Sequence, residues 1–261
     1  MMHRQCEANS ATNMTKRLLT DSFEDVVVIG GGKYGSKAVK ALRGRARRIV
    51  VIDNDPQCPA RPQSDRACSL GDHISFADGI SFIAADGSST LLRIFSSGIV
   101  PDYVAPSIPQ NVMAQLFRAW TASKGLEAIP DPKKTRSAGH SLPKEVLART
   151  DAEKGHIIVS FSNGKTCSPL CLEGGRCPLS GEPRPMSIFR ILSAQFKGDA
   201  CKIFQSHLLA PEVGGIEGDD IADAFNSLLP KLHNGAQLAI GTACMCHGTI
   251  DFMLLKHSSK V

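Results

Sequence analysis

Asp25-Val-Val-Val-Ile29 runs without a break into Gly30-Gly-Gly-Lys-Tyr-Gly35, and the rest of the chain is organised around that junction. A short run of β-branched residues reads as a strand buried on both faces of a parallel sheet. The glycines fit G-x-G-x-x-G, a spacing that turns a strand sharply into a helix. Ser36 to Leu42 then carries Ala38, Val39 and Leu42 at helical spacing, and Gly44 is placed to end the helix. Arg48-Ile-Val-Val-Ile52 is a second buried strand, closed by Asp53.

Each residue of this unit has a physical job. Gly30 allows the tight turn. Gly32 lacks a side chain, so backbone can approach a pyrophosphate closely, and Gly35 lets the helix pack against the strand. Gly31, Lys33 and Tyr34 complete the turn, where the first helical amides face the phosphates. Asp53 ends the second strand, where its carboxylate can accept hydrogen bonds from ribose hydroxyls. That charge would repel a 2′-phosphate, so the expected ligand is NAD in preference to NADP. The fold class expected is α/β, a doubly wound parallel Rossmann-type sheet followed by a second, cysteine-bearing α/β half.

Further on, Ile80-Ser-Phe-Ile-Ala84 reads as a third strand. The stretches Ala85-Asp-Gly-Ser-Ser-Thr-Leu-Leu92 and Gly98-Ile-Val-Pro-Asp-Tyr-Val-Ala105 follow it. With the glycine turn, they resemble the Rossmann domain of the TrkA N-terminal group over about residues 23 to 106. The resemblance implies that Asp86 lies near the adenine or its ribose. This chain departs from that group at Pro101 and in a longer insertion from Gln57 to Gly79. Saccharopine-dehydrogenase-like and precorrin-2-dehydrogenase-like enzymes share the pattern, so the likeness bears on fold and ligand class and not on activity. Pro106-Ser-Ile-Pro109 lies at the carboxyl edge of the sheet, where it can contact nicotinamide or substrate or serve as a plain turn.

The expected organisation is a polar tail over 1–22, a dinucleotide-binding domain over 23–128, a linker over 129–150 and the cysteine-bearing half over 151–261. Within the linker, Pro130 to His140 reads as a surface connection, and Lys144 to Glu153 as a polar helix. Strands are expected at His156–Ser160, Cys201–Phe204 and Gln237–Ile240. An amphipathic helix opens at Gly218-Asp-Asp-Ile. Gly214, Gly215 and Gly218 could form a second anion-binding turn. His207 has the chemistry of an acid/base but reads more simply as a structural histidine, and Arg184 could pair a carboxylate or lie on the surface.

Nine cysteines without a secretory leader point to metal or redox chemistry. Cys167, Cys171 and Cys177 fall within eleven residues on a loop with two glycines and two prolines, a backbone able to wrap an ion. Its Cys-Pro step is similar to ferredoxin loops. The C-x3-C-x5-C spacing needs a further ligand, and Cys244-Met-Cys246-His247 is the source expected. Thiolates suit an iron–sulfur cluster and zinc equally. Cys6, Cys58 and Cys68 are dispersed, and Cys201 reads as a buried thiol.

Aromatics make up only 5% of the chain, too few for the stacking platform that a nucleic-acid interface needs despite a net charge of +5. No apolar run reaches the length of a membrane span. The reading that follows is a cytoplasmic NAD-binding oxidoreductase with an iron–sulfur or zinc site, acting on a small molecule or a redox partner and able to self-associate. The alternative is an NAD- or redox-sensing protein of the TrkA type without turnover.

Overall fold

The computed structural model describes residues 22–68, 76–162, 175–177, 179–181, 183–198 and 200–258. In chain order these form β1 (Phe23–Ile29), α1 (Lys33–Leu42), β2 (Ala46–Asp53), β3 (Arg66–Cys68), β4 (Gly79–Ala84), α2 (Gly87–Ser96) and β5 (Tyr103–Pro106). Next come α3 (Val112–Ser123), β6 (Leu126–Pro130), α4 (Pro132–Ser141), β7 (Leu147–Asp151), β8 (His156–Ser160) and α5 (Ile188–Gln195). The chain continues through β9 (Cys201–Gln205), β10 (His207–Ala210), β11 (Val213–Glu217), α6 (Gly218–Leu228), β12 (Gln237–Ala243) and β13 (His247–His257).

The architecture is mixed α/β with two mixed sheets. The first runs β10-β11-β5-β1-β2-β4-β3. Its members from β5 to β3 are mutually parallel. The wholly parallel sheet expected from the first half is corrected here. β10 and β11 come from the second half as a hairpin, which is necessarily antiparallel, and β11 adds to β5 with Ile216 opposite Val104. The second sheet runs β7-β8-β13-β12-β9, and β6 also pairs with β13. β13 is its hub. His247–Asp251 pairs with β8 and Met253–His257 with β6, while the other edge pairs along β12.

Alternation along β1 explains the layering. Val26 and Val28 share a core with Ala38, Val39 and Leu42 of α1. Val27 and Ile29 point the other way, into a core with Leu91 and Ile94 of α2, Leu116 and Phe117 of α3, and Ile221 of α6. That second core also takes in Phe204, Leu238, Ile240 and Met253 from the second sheet. The far face of the second sheet packs Ala138 of α4 and Ile188 and Leu192 of α5. The order of layers is therefore α1, first sheet, α2/α3/α6, second sheet, α4/α5. Asn111 pins the middle together: it caps α3 by accepting from the Ala114 N–H at 3.2 Å and donates to the Ile240 carbonyl at 3.0 Å.

Residues 129–150 hold more than a connection. α4 starts with Asp131 as cap, accepting from the Lys134 N–H at 2.9 Å, and with Pro132 in its first turn. Lys144–Glu153, expected as a helix, contains β7, because pairing with β8 outweighs the modest helical propensity of a polar segment. No helix among the described residues is long and apolar enough to cross a membrane.

Candidate functional site

Two sites follow from the sequence reading, and the glycine turn comes first. Gly30 has φ +96°, and its N–H donates to the Ile52 carbonyl at 2.8 Å. A Cβ there would run into the Ile108 side chain, and one on Gly35 would overlap the Gly30 carbonyl oxygen. Gly31 is covered from outside by the Cys58 sulfur and by Ala60, whose N–H donates to the Gly31 carbonyl at 2.8 Å. Gly32 is different: it caps α1, and nothing lies within 4 Å of where its Cβ would be. The next amides, of Lys33, Tyr34 and Gly35, have no carbonyl within the helix to bond. Lys33 and Tyr34 are exposed.

Asp53 stands beside this turn, as the spacing requires, but its carboxylate is turned inward. One oxygen accepts from the Gly31 N–H at 2.5 Å and the other from the Asp55 N–H at 2.8 Å. The segment beyond it folds over the turn, and the Gln63 amide donates to the Ser36 hydroxyl at 2.6 Å.

Asp86 is the cap of α2, accepting from the Ser89 N–H at 2.8 Å and the Ser89 hydroxyl at 2.6 Å. That hydroxyl, then the amide, holds its carboxyl below the ordinary 3.8. Its capping contribution is thus complete above that pH and fades as pH falls through the lowered value. Asp86→Ala is expected to cost about 1 kcal/mol of stability, measured by urea denaturation. Undiminished stability in that variant would show that the cap contributes nothing to the fold.

Beside the turn, a cleft of about 200 Å³ is lined by Tyr34, Ala38, Pro106–Pro109 and Glu212–Gly214. Glu212 is the one described non-glycine residue with positive φ, at 62°, and pairs with Lys37 at 3.1 Å. The second anion-binding turn is not formed. Gly214 and Gly215 belong to β11, and a Cβ on Gly215 or Gly218 would strike Leu209 or the Pro101 carbonyl. His207 lies edge-on to Tyr103 and 3.6 Å from Glu217.

The cysteine site is built on the tight connection between β12 and β13, which the Cys244 N–H closes onto the His247 carbonyl at 2.9 Å. Cys244 Sγ is 4.0 Å from Cys246 Sγ, which is 3.2 Å from His247 Nδ1. All three ligand atoms lie within 4.8 Å of one another. The start of α5 grips this turn from behind, because the Ile188 and Phe189 amides donate to the Met245 and Cys244 carbonyls. Cys177 is buried in the same apolar cluster as Cys246. Its segment is tied down by Gly181 N–H to the Cys177 carbonyl and by Ser180 to the Phe161 carbonyl.

Burial pushes the Cys177 thiol up, but hydrogen bonds from Ser180, the Leu179 amide and Arg184 outweigh it and bring it to about 6. The hydrogen bond to Cys246, then His247, holds the Cys244 thiol well below its ordinary value against burial. Cys244 in turn raises the His247 imidazole. Arg184, expected at a substrate or on the surface, is buried beside Cys177. Cys201, expected as a buried thiol, is half-buried, and burial pushes its thiol up to about 11. Cys167 and Cys171 lie outside the described residues, as does Cys6.

Residues 25–112 match a family model described as "Uncharacterized protein, N-terminal domain", and residues 110–256 match its companion, "Uncharacterized protein, C-terminal domain". The chain belongs to the AF_1314 family. An Archaeoglobus fulgidus protein, described only as "Uncharacterized protein", is 26% identical over 224 residues, covering 86% of this chain and 96% of its own length. No solved structure matches.

Membership of the AF_1314 family corrects the TrkA resemblance, since neither matching model is a Rossmann or TrkA model. What residues 23 to 106 share with that group is the packing demand of a strand turning directly into a helix, which any such junction imposes. The two family models meet near residue 111, and β6 pairs with β13 of the second sheet. Sequence reasoning missed Glu212, whose strained turn has no glycine or asparagine to announce it. It also missed the His156–Asp251 pair between β8 and β13, which only strand register brings together.

Proposed function

We propose that this AF_1314 chain is a metal–thiolate protein whose first sheet serves as a doubly wound, Rossmann-type dinucleotide site. One observation carries the reading. Cys244, Cys246 and His247 place two sulfurs and an imidazole nitrogen within 4.8 Å of one another, and Cys177, from a separate segment, is buried in the same apolar cluster as Cys246. Thiolates and imidazole are ligands that both zinc and iron accept. For the dinucleotide, support comes from the division of labour among the glycines. Gly30 and Gly35 serve the turn and its packing, while Gly32 stays open beside the first helical amides. A nicotinamide site joined to such a centre is the equipment of an oxidoreductase acting by hydride transfer.

A second reading, sensing without turnover, is favoured by the Asp53–Gln63 segment. Asp53 already holds Gly31 and Asp55, and Cys58 and Gln63 sit over the turn and α1. The neighbouring cleft, at about 200 Å³, takes one ring and not a whole dinucleotide. Binding would have to lift that segment, converting ligand occupancy into a change of shape.

The test is anaerobic purification followed by metal analysis of the full chain and of a Cys244→Ser/Cys246→Ser double variant. At least one metal equivalent per chain is expected in the first and none in the second. A metal-free parent chain under these conditions would retire the proposal. NAD turnover with a hydroxy, amino or imino acid favours the enzyme, and saturable binding without turnover favours the sensor.

A further inference from the structure

The spacing of ligand atoms separates a single tetrahedral ion from a four-iron cluster, and labile sulfide separates it from a two-iron one. Around one tetrahedral ion with metal–sulfur bonds of about 2.3 Å and metal–nitrogen bonds of about 2.0–2.1 Å, neighbouring ligand atoms lie roughly 3.5–3.8 Å apart. A four-iron cluster puts each thiolate on a different iron and so spreads the sulfurs much further. Here the two sulfurs are 4.0 Å apart and the second is 3.2 Å from the imidazole nitrogen. Those separations straddle the single-ion value, and the whole set fits within 4.8 Å.

We infer that Cys244, Cys246 and His247 bind one zinc ion with Cys177 as fourth ligand, and that this ion staples the Cys177 segment to the β12–β13 turn. The inference rests on the metal-centre reading above and narrows it to a closed, redox-inert site. Four protein ligands and no open position are the pattern of a structural zinc.

Three further features fit. First, the scaffold holds the ligands independently of any ion. α5 donates two amides to the turn, and Gly248 packs so closely that a Cβ there would touch Ala243, Ile188 and Leu192. Second, charge is matched. Three thiolates around a divalent ion leave one net negative charge, and Arg184, only 6% exposed and bonded to Cys177, supplies the positive one. Third, the segment to be stapled has little regular structure of its own. Between Gly175 and the start of α5, the described residues are held by a few turn bonds and the isolated Arg176–Pro183 bridge.

The test uses the full chain purified anaerobically from iron-supplemented cells, with zinc, iron and acid-labile sulfide measured per chain. It is followed by replacement of the bound metal with cobalt. One zinc per chain without sulfide is expected. The cobalt form should show the strong visible ligand-field bands of a tetrahedral site with thiolate-to-metal charge transfer, and Cys177→Ser should weaken the charge-transfer band. Iron with stoichiometric labile sulfide overturns the single-ion inference while leaving a metal centre in place. Failure to take up any metal, cobalt included, overturns both. A cobalt spectrum unchanged by Cys177→Ser removes Cys177 from the ligand set. Should that variant not fold, the stoichiometry and cobalt spectrum of the parent chain still decide between ion and cluster.

Discussion

Gly35→Val is expected to abolish stable folding, whereas Gly32→Val leaves the fold standing and removes dinucleotide binding. The two positions are three residues apart in one turn, yet their surroundings are opposite. A Cβ on Gly35 would overlap the Gly30 carbonyl oxygen, which is backbone and cannot swing aside. Gly30 is itself locked, with φ +96° and its amide bonded to Ile52. Relief requires α1 to slide off β1, breaking its contacts with Val26 and Val28. Overpacking a tight core costs typically 1–3 kcal/mol, and a backbone clash belongs above about 3 kcal/mol. That is a large share of the roughly 5–15 kcal/mol that keeps a domain folded.

At Gly32 the added side chain meets nothing within 4 Å, and φ is an ordinary −65°. The folded state loses only some capping preference, about 1 kcal/mol. The ligand, however, would meet the new methyl groups where it needs bare backbone. Urea denaturation and calorimetric titration with NAD measure the two effects separately. Normal NAD affinity in a folded Gly32→Val chain would show that the turn does not hold the diphosphate.

Phe117→Ala is expected to cost about 3–5 kcal/mol and to destabilise both sheets together. Phe117 is fully buried, stacked at 5.0 Å on Phe225, 5.4 Å from Trp120 and 5.8 Å from Phe204. Those partners come from α6, α3 and β9, so one ring ties the helical layer to the second sheet, while the same core reaches Val27 and Ile29 of the first. The chain contains a single tryptophan, and it lies in this core, so its fluorescence reports on the shared layer. Coincident transitions by fluorescence and far-ultraviolet dichroism are expected for parent and variant alike. Two resolved transitions would mean that the family's two domains unfold separately and that the common core contributes little.

Much of the N-terminal half is readable locally because its demands are local. A β-branched strand, a glycine turn and a helix with apolar residues at helical spacing need only near neighbours to be recognised, and β1, α1 and β2 stand where those patterns put them. α4 was equally announced, by Asp131 followed by Pro132, within a stretch whose lysines and serines suggested a connection. β7 shows the opposite failure. Its residues Leu147–Asp151 carry a helical composition, and only hydrogen bonds to β8 make them a strand. β13 is not legible over its eleven residues because both its faces are buried, Met253 and Leu255 in one core and Ile250 and Phe252 in another, so its apolar run lacks a clear period.

The candidate sites divide in the same way. Cysteine spacing by itself marked Cys177, Cys244 and Cys246, and turn chemistry marked Gly30, Gly32 and Gly35, because ligand type and backbone freedom are properties of the residues themselves. Tertiary structure alone decided that Asp53 turns inward to Gly31, that Cys58 covers the turn, that Arg184 is buried against Cys177, and that β10 and β11 cross over to extend the first sheet. These depend on which distant segments meet, and hydrogen-bond registry and close packing between strands settle that only once the chain has collapsed.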